Sequence, residues 1–254
     1  MEPAPPVRHF LRVDWAPNRT NPPDLSAWPF SIPAVAQLID DGGLEVAPGV
    51  TFLVGENGSG KSTLVEALAT VYPRHGFEAS FPGVTGATAS EEDSPLRWHL
   101  KARLAHMASR AGFFLRAETM HSYFAGIDTD PNTARSDWAG EALQHRSHGE
   151  SFPAVLRHKF TDGGVYFLDE PEAALSFRAC LGLLSLLDLM RREGSQVVVA
   201  THSPLLVTLP DATLLELGDW GIRTASSYEE LDLVQTWRSY LDAPGRYLRH
   251  LLEP

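Results

Sequence analysis

An α/β fold is predicted by three stretches, each an apolar strand with reactive groups at its carboxyl end. Val50-Thr51-Phe52-Leu53-Val54 runs into the glycine-rich loop Gly55-Glu56-Asn57-Gly58-Ser59-Gly60, and Lys61-Ser62-Thr63-Leu64 then opens a helix. Val165-Tyr166-Phe167-Leu168 ends in the paired carboxylates Asp169-Glu170. Val197-Val198-Val199-Ala200 ends in Thr201-His202-Ser203-Pro204. Short apolar runs bounded by turn residues read as buried strands, and in an open α/β sheet the chemistry gathers at the carboxyl ends of such strands.

The 254 residues can bury a substantial core, and a single domain over 1–254 with an elaborated helical and loop insert at about 75–160 is the economical division. A formal net charge of −11 argues against broad, sequence-independent nucleic-acid binding by the whole surface. A local patch is left open: Arg97, Lys101, Arg103, Arg110 and Arg116 lie in a stretch poor in acids, which also reads as the solvated side of a helix. No apolar run approaches the roughly 20 residues of a membrane helix, and the start Met1-Glu2-Pro3-Ala4 lacks the pattern of a signal peptide. The one cysteine, Cys180, lies beside an apolar run and reads as a buried structural thiol. Cytoplasmic residence is the expectation.

Along the chain, the first strands fall between Val7 and Val54, with proline-rich loops near Pro17–Pro29. Residues 82–95 read as a loop, Leu96–Arg110 as a helix with the apolar face Leu100, Leu104, Met107 and Ala111, and 113–117 as a strand. Residues 119–146 give no clear pattern. Helices are expected at 151–159 and 172–192, a late hairpin at 214–223 across Gly218-Asp219, and helical spacing in Leu231, Val234, Trp237 and Leu241.

The loop at 55–62 has the spelling of a phosphate cradle. A nucleoside triphosphate presents crowded negative oxygens, so the backbone must curl around them with its N–H groups inward, which glycines allow. Lys61 can reach the β- and γ-phosphates, the Ser62 hydroxyl can ligand Mg²⁺, and the helix N-terminus faces the anion. Residues Glu56, Asn57, Gly58, Ser59, Gly60, Lys61, Ser62 and Thr63 are therefore the candidate nucleotide-binding set. Asp169 is suited to hold the magnesium water shell opposite Ser62, and Glu170 to accept a proton from attacking water. Two acids before Pro171 also read as a helix cap. His202, emerging on the same sheet edge, can orient the water, or else cap a loop. No spaced His/Cys pattern of structural zinc is present, and His145 with His148 is only an i, i+3 pair, so no metal beyond nucleotide-bound Mg²⁺ is expected. Trp28 and Phe30 are weak candidates for stacking on adenine, with core packing the better explanation.

These motifs together resemble the ATP-binding-cassette (ABC) class of P-loop ATPases, and most closely its soluble, non-transporter members. Among these are the RecF and SMC chromosome-maintenance proteins, the overcoming-lysogenization-defect family and a bacterial group of small predicted ATPases. The likeness rests on Gly112–Glu118, Ser147–Phe152, Val165–Glu172, Ala200–Leu205 and Tyr247–Leu251. It implies a nucleotide-binding domain with a central mixed sheet, an antiparallel N-terminal β part and a helical insert. The family signature, usually Leu-Ser-Gly-Gly followed by Gln or Glu, corresponds to Arg146-Ser147-His148-Gly149-Glu150, where Ser147, Gly149 and Glu150 match and Arg146 and His148 depart. Ala173-Ala174-Leu175-Ser176 looks like the loop that crosses the family's dimer interface. Glu118 stands where a glutamine metal-side ligand is usual, either replacing it or marking a loop that lies elsewhere.

The resemblance thus implies ATP hydrolysis in an ATP-dependent sandwich homodimer. Ser147 and Gly149 of one subunit would close over the γ-phosphate held by the other, with Glu170 as base, His202 positioning water, and Asn57 and Lys61 as transition-state donors. Hydrolysis would serve an unidentified protein or nucleic-acid partner. A non-catalytic ATP-gated switch or scaffold, a P-loop kinase and an importer ATPase subunit are the alternatives.

Overall fold

The computed structural model describes residues 11–72, 94–104, 112–116 and 163–252. Leu11–Trp15 (β1) and Gly43–Val46 (β2) flank the helix Pro33–Asp40 (α1), which begins with a proline at its first turn, where no intrahelical N–H bond is lost. Val50–Gly55 (β3) leads through the glycine loop into Lys61–Val71 (α2). A short 3₁₀ turn, Pro95–His99, precedes Leu100–Leu104 (β4), and Gly112–Arg116 forms β5. Val165–Asp169 (β6), a 3₁₀ turn at Pro171–Ala174, Phe177–Arg192 (α3) and Gln196–Thr201 (β7) follow. Thr213–Gly218 (β8) and Gly221–Ala225 (β9) precede Asp232–Asp242 (α4) and Pro244–Leu252 (α5).

Two sheets result. The larger has the order β5-β6-β7-β3-β8-β9, parallel except for the β8–β9 hairpin. The smaller is antiparallel, β2-β1-β4. The mixed central sheet and the antiparallel β part are thus as the sequence predicts; the expected insert and the helix at 151–159 fall largely or wholly outside the described residues. β6 and β7 are buried at every position, the pattern of strands covered on both faces.

Side-chain alternation in β3 splits the core. Val50, Phe52 and Val54 join Leu183, Leu187 and Met190 of α3 on one face. Leu53 joins Leu64, Val65 and Leu68 of α2, Val35 and Leu38 of α1, and the small sheet on the other. Phe52, Tyr166 and Phe167 are almost wholly enclosed, each contributing about 2–3 kcal/mol by removal of apolar surface from water. Gln196 fastens the two sheets: its side-chain amide donates to the carbonyls of Val46 and Ala47, both at 2.8 Å. Cys180 is buried in the α3 face, where desolvation pushes its thiol pKa up, in keeping with a structural role.

Two expected helices are corrected. The helix expected at 96–110 is, over the described part, a 3₁₀ turn and a strand, because Leu100, Ala102 and Leu104 alternate with the exposed Lys101 and Arg103 and pair with β1. Leu100 and Leu104 satisfy both a helical and a strand period, so only the ladder decides. The supposed basic face disperses with it: Arg97 lies 4.3 Å over the ring of Trp98, Arg103 pairs with Asp14, and Arg116 turns toward Glu66 and Asp169. The helix expected from 172 starts instead at Phe177, because Ser176 caps it, accepting from the Ala179 N–H at 3.3 Å.

Candidate functional site

Strand β3 ends inside the sheet, so its loop must turn sharply above the carboxyl edge to start α2. Gly60 makes that turn with φ 98°, in the left-handed region. A Cβ there would lie 2.7 Å from Cγ2 of Ile32, and one on Gly55 would strike the carbonyl of Leu217 and sit 2.8 Å from Ser59 Oγ. Backbone confined this way can approach a ligand as a side chain could not. Gly60→Ala is accordingly expected to lower stability by about 1–3 kcal/mol, read from chemical denaturation, and to weaken nucleotide binding in parallel.

The loop fits an anion. The first turn of α2 holds no acidic residue of its own, which leaves its N-terminal N–H groups favourable to an anion. The buried Ser59 hydroxyl has no hydrogen-bond partner, while Glu56, Asn57 and Gly58 form the exposed crest. Lys61 is 3% exposed, and its Nζ donates to the Glu56 carbonyl at 2.9 Å, inside the loop. Burial holds the Lys61 pKa below its usual value, against the opposing pull of Glu170, Asp169 and Glu172.

Beside Lys61, the Ser62 hydroxyl donates to Asp169 Oδ1 at 2.9 Å. A hydroxyl and a carboxylate at this spacing are hard oxygen donors suited to Mg²⁺. Two protein donors suit an ion that brings phosphate and water oxygens with it; among the described residues no group of three or more His, Cys, Asp or Glu gathers to hold a metal alone. Burial raises the Asp169 pKa, while the Ser62 hydrogen bond and the Arg116 charge oppose the rise. The Arg116 Nε lies 3.5 Å from Asp169 Oδ2, and its Nη2 pairs with Glu66 of α2.

Glu170 follows directly. Its backbone is left-handed (φ 49°, ψ 49°), unusual for a residue with a side chain and costing roughly 1 kcal/mol or more. The strand ladder holds it there through its N–H, which bonds the Ala200 carbonyl at 2.9 Å. This turn brings Glu170 Oε1 within 2.7 Å of His202 Nε2, with both side chains about one-third exposed, so the pair is joined and open to solvent. Thr201 and His202 are fixed in turn by Glu172, whose Oε1 accepts from Thr201 Oγ1 at 2.5 Å and from the His202 N–H at 2.6 Å.

Lys61, Ser62, Asp169, Glu170 and His202 thus share one sheet edge, each at the end of β3, β6 or β7 or the start of α2. Glu118, Ser147, Gly149 and Glu150 lie outside the described residues. Phe30 is 5% exposed and packs edge-on against Trp15 and His99, a core residue; Trp28 is 61% exposed. Sequence reasoning missed Glu66, Arg116 and Glu172 as parts of this site. Arg116 was legible in principle, since the last residue of β5 stands in register with Asp169. Glu172 follows a proline in a turn, and no periodicity marks it.

The family described as "AAA domain, putative AbiEii toxin, Type IV TA system" matches residues 142–208, a span that includes Asp169, Glu170 and His202. A ribose import ATP-binding protein of Rhizobium meliloti is 33% identical over 195 residues, 68% of this chain and 37% of that protein. Another, from Jannaschia, is 29% identical over 175 residues, 63% of this chain and 34% of that protein. An arabinose import ATP-binding protein of Ralstonia nicotianae is 30% identical over 176 residues, 59% of this chain and 32% of that protein. The chain spans about a third of the length of these relatives. A solved structure titled "An inward-facing conformation of a putative metal-chelate type ABC transporter" superposes with a TM-score of 0.46 at 16% identity, over 87% of this chain and 84% of that one.

The fold and the sheet-edge site define a P-loop nucleotide-binding domain. The similarity to ATP-binding import proteins places this domain with the ABC class of P-loop domains. Among the described residues no helix is long and apolar enough to cross a membrane.

Proposed function

We propose that this chain binds ATP on residues 56–63 and hydrolyses it to ADP and phosphate in a cytoplasmic nucleotide-sandwich homodimer, coupling turnover to a protein or nucleic-acid partner. The observation that carries the reading is the Glu170–His202 pair at 2.7 Å, on the same sheet edge as the Ser62–Asp169 contact and the phosphate loop. A nucleotide switch needs the loop alone; a carboxylate joined to an imidazole and open to solvent is the equipment of a reaction with water.

Lys61 and the loop N–H groups bind the phosphates and stabilise the charge that grows on them, with Asn57 at the loop crest as a further donor. Ser62 and Asp169 would hold Mg²⁺, which when bound would supply charge neutralisation to the phosphates. Glu170 takes the proton from water as its oxygen attacks the γ-phosphorus, and the bond to the ADP oxygen breaks. His202 orients that water and the Glu170 carboxylate. Ser147 and Gly149 of a second subunit, with Glu150 beside them in sequence, would complete the phosphate's surroundings, and Glu118 would add a metal-side ligand unless that loop lies elsewhere in the chain.

Phosphate release from ATP, measured with Mg²⁺ and again with excess EDTA, tests the reading. Release is expected with the metal and not without it. Stable binding of ATP with no release under either condition would leave a switch or scaffold. Phosphate passed to a small acceptor in preference to water would make the chain a kinase. The relatives named as ribose and arabinose import ATP-binding proteins favour a second reading, energising an importer. Co-purification with a membrane-spanning partner is the result that would select it.

A further inference from the structure

We infer that Glu172 is a positioning residue for hydrolysis, acting through His202; the inference rests on the hydrolytic reading above. Glu172 lies in the 3₁₀ turn immediately after β6, while His202 follows the last residue of β7, so the two arrive from different strands. One carboxylate oxygen, Oε1, receives both the Thr201 hydroxyl and the His202 backbone N–H, at 2.5 and 2.6 Å. Hydrogen bonds this short to a charged acceptor are among the strongest available to a side chain.

The direction of the Thr201 bond is fixed. Thr201 Oγ1 accepts from the Ser203 N–H at 3.0 Å, which leaves its one proton for Glu172. Thr201 is wholly buried, so its hydroxyl has no water to turn to. Strand β7 pairs as far as Thr201, whose register partner is Val54, and beyond it the ladder no longer holds the chain. Glu172 takes over at that point. Two donors from consecutive residues converge on one oxygen, which sets the backbone from which the His202 ring reaches Glu170 Oε1 at 2.7 Å. The other oxygen, Glu172 Oε2, is buried without a hydrogen-bond partner, so the carboxylate is held there by the Thr201–His202 turn. Glu172 therefore touches the histidine's backbone and leaves the histidine's ring for Glu170.

This role differs from a merely structural one in what it moves. Removing Glu172 should loosen His202 and lower kcat, with nucleotide binding preserved, since Lys61 and Ser62 are bonded to the Glu56 carbonyl and Asp169 rather than to Glu172. In the full chain, Glu172→Ala is expected to reduce kcat by about 10–100-fold and leave the affinity for a fluorescent trinitrophenyl-ATP probe within about twofold. Glu172→Gln keeps an oxygen for both donors and should stay within about threefold of wild type. In a His202→Ala background, Glu172→Ala should produce no further loss, because the residue through which it acts is gone.

Should Glu172→Ala fail to fold by thermal melting, Thr201→Val carries the same test. It removes one of the two donors, and its loss in kcat should likewise vanish in the His202→Ala background. The inference alone is overturned if wild type is active and His202→Ala is slow while both Glu172→Ala and Thr201→Val match wild type. It is also overturned if the losses multiply in the double variants, or if probe affinity falls in step with kcat. A wild-type chain that releases no phosphate, or a His202→Ala variant as fast as wild type, overturns the hydrolytic reading and this inference together.

Discussion

Glu170→Gln is expected to bind Mg·ATP about as tightly as wild type and to release phosphate about 10²–10⁴-fold more slowly. The amide is nearly isosteric with the carboxylate and can still meet His202 Nε2, the 2.7 Å contact of the native pair. It has no basic oxygen to take a proton, so the step that fails is the chemical one. Its neighbours Asp169 and Lys61 keep their places, since neither hydrogen-bonds the Glu170 side chain: Asp169 is held by Ser62, and Lys61 by the Glu56 carbonyl. Under the proposed scheme, in which the bound triphosphate closes the dimer and hydrolysis releases it, the variant should also accumulate as a dimer in Mg·ATP. Sedimentation with and without ATP reads this directly. A variant that stays monomeric under saturating ATP contradicts the dimeric scheme, and one that hydrolyses at the native rate removes Glu170 from the reaction.

Lys61→Ala is expected to weaken ATP binding by about 10–100-fold and to reduce turnover below detection, measured by calorimetric titration and phosphate release. Lys61 is nearly enclosed, and its ammonium reaches back into the curl of the loop. Burial leaves this cation poorly solvated, which also lowers its proton affinity, so it should respond strongly to an incoming phosphate. The loss should exceed that from neutralising an exposed lysine, whose charge water screens. Lys61→Arg should not restore function, because a planar guanidinium does not fit a space shaped for a point charge. Unimpaired turnover by Lys61→Ala would place the nucleotide elsewhere.

Much of the site was legible because parallel sheets force chemistry to strand ends. Once Val165–Leu168 and Val197–Ala200 are read as neighbouring buried strands, Glu170 and His202 must emerge together. The loop was legible for a different reason: Gly60 has no substitute where a Cβ would meet Ile32. What escaped depends on contacts between segments distant in sequence. Glu66 is an ordinary helix residue until Arg116, fifty positions on, turns toward it. Glu172 reads as a turn residue until Thr201 and His202 arrive from another strand. The stretch at 100–104 misled because leucines four apart suit a helix, while their alternation with Lys101 and Arg103 equally suits the strand that β1 recruits.

The most direct test of the account is complementation between two inactive variants. Lys61→Ala lacks the loop cation, and Ser147→Ala lacks the hydroxyl assigned to the opposite subunit; each alone should release almost no phosphate. Mixed, they can form a dimer in which one site pairs an intact loop from one chain with an intact Ser147 from the other, and phosphate release should return. A mixture as inactive as its two components, or a Ser147→Ala chain as active as wild type, would contradict a reaction centre shared between two copies.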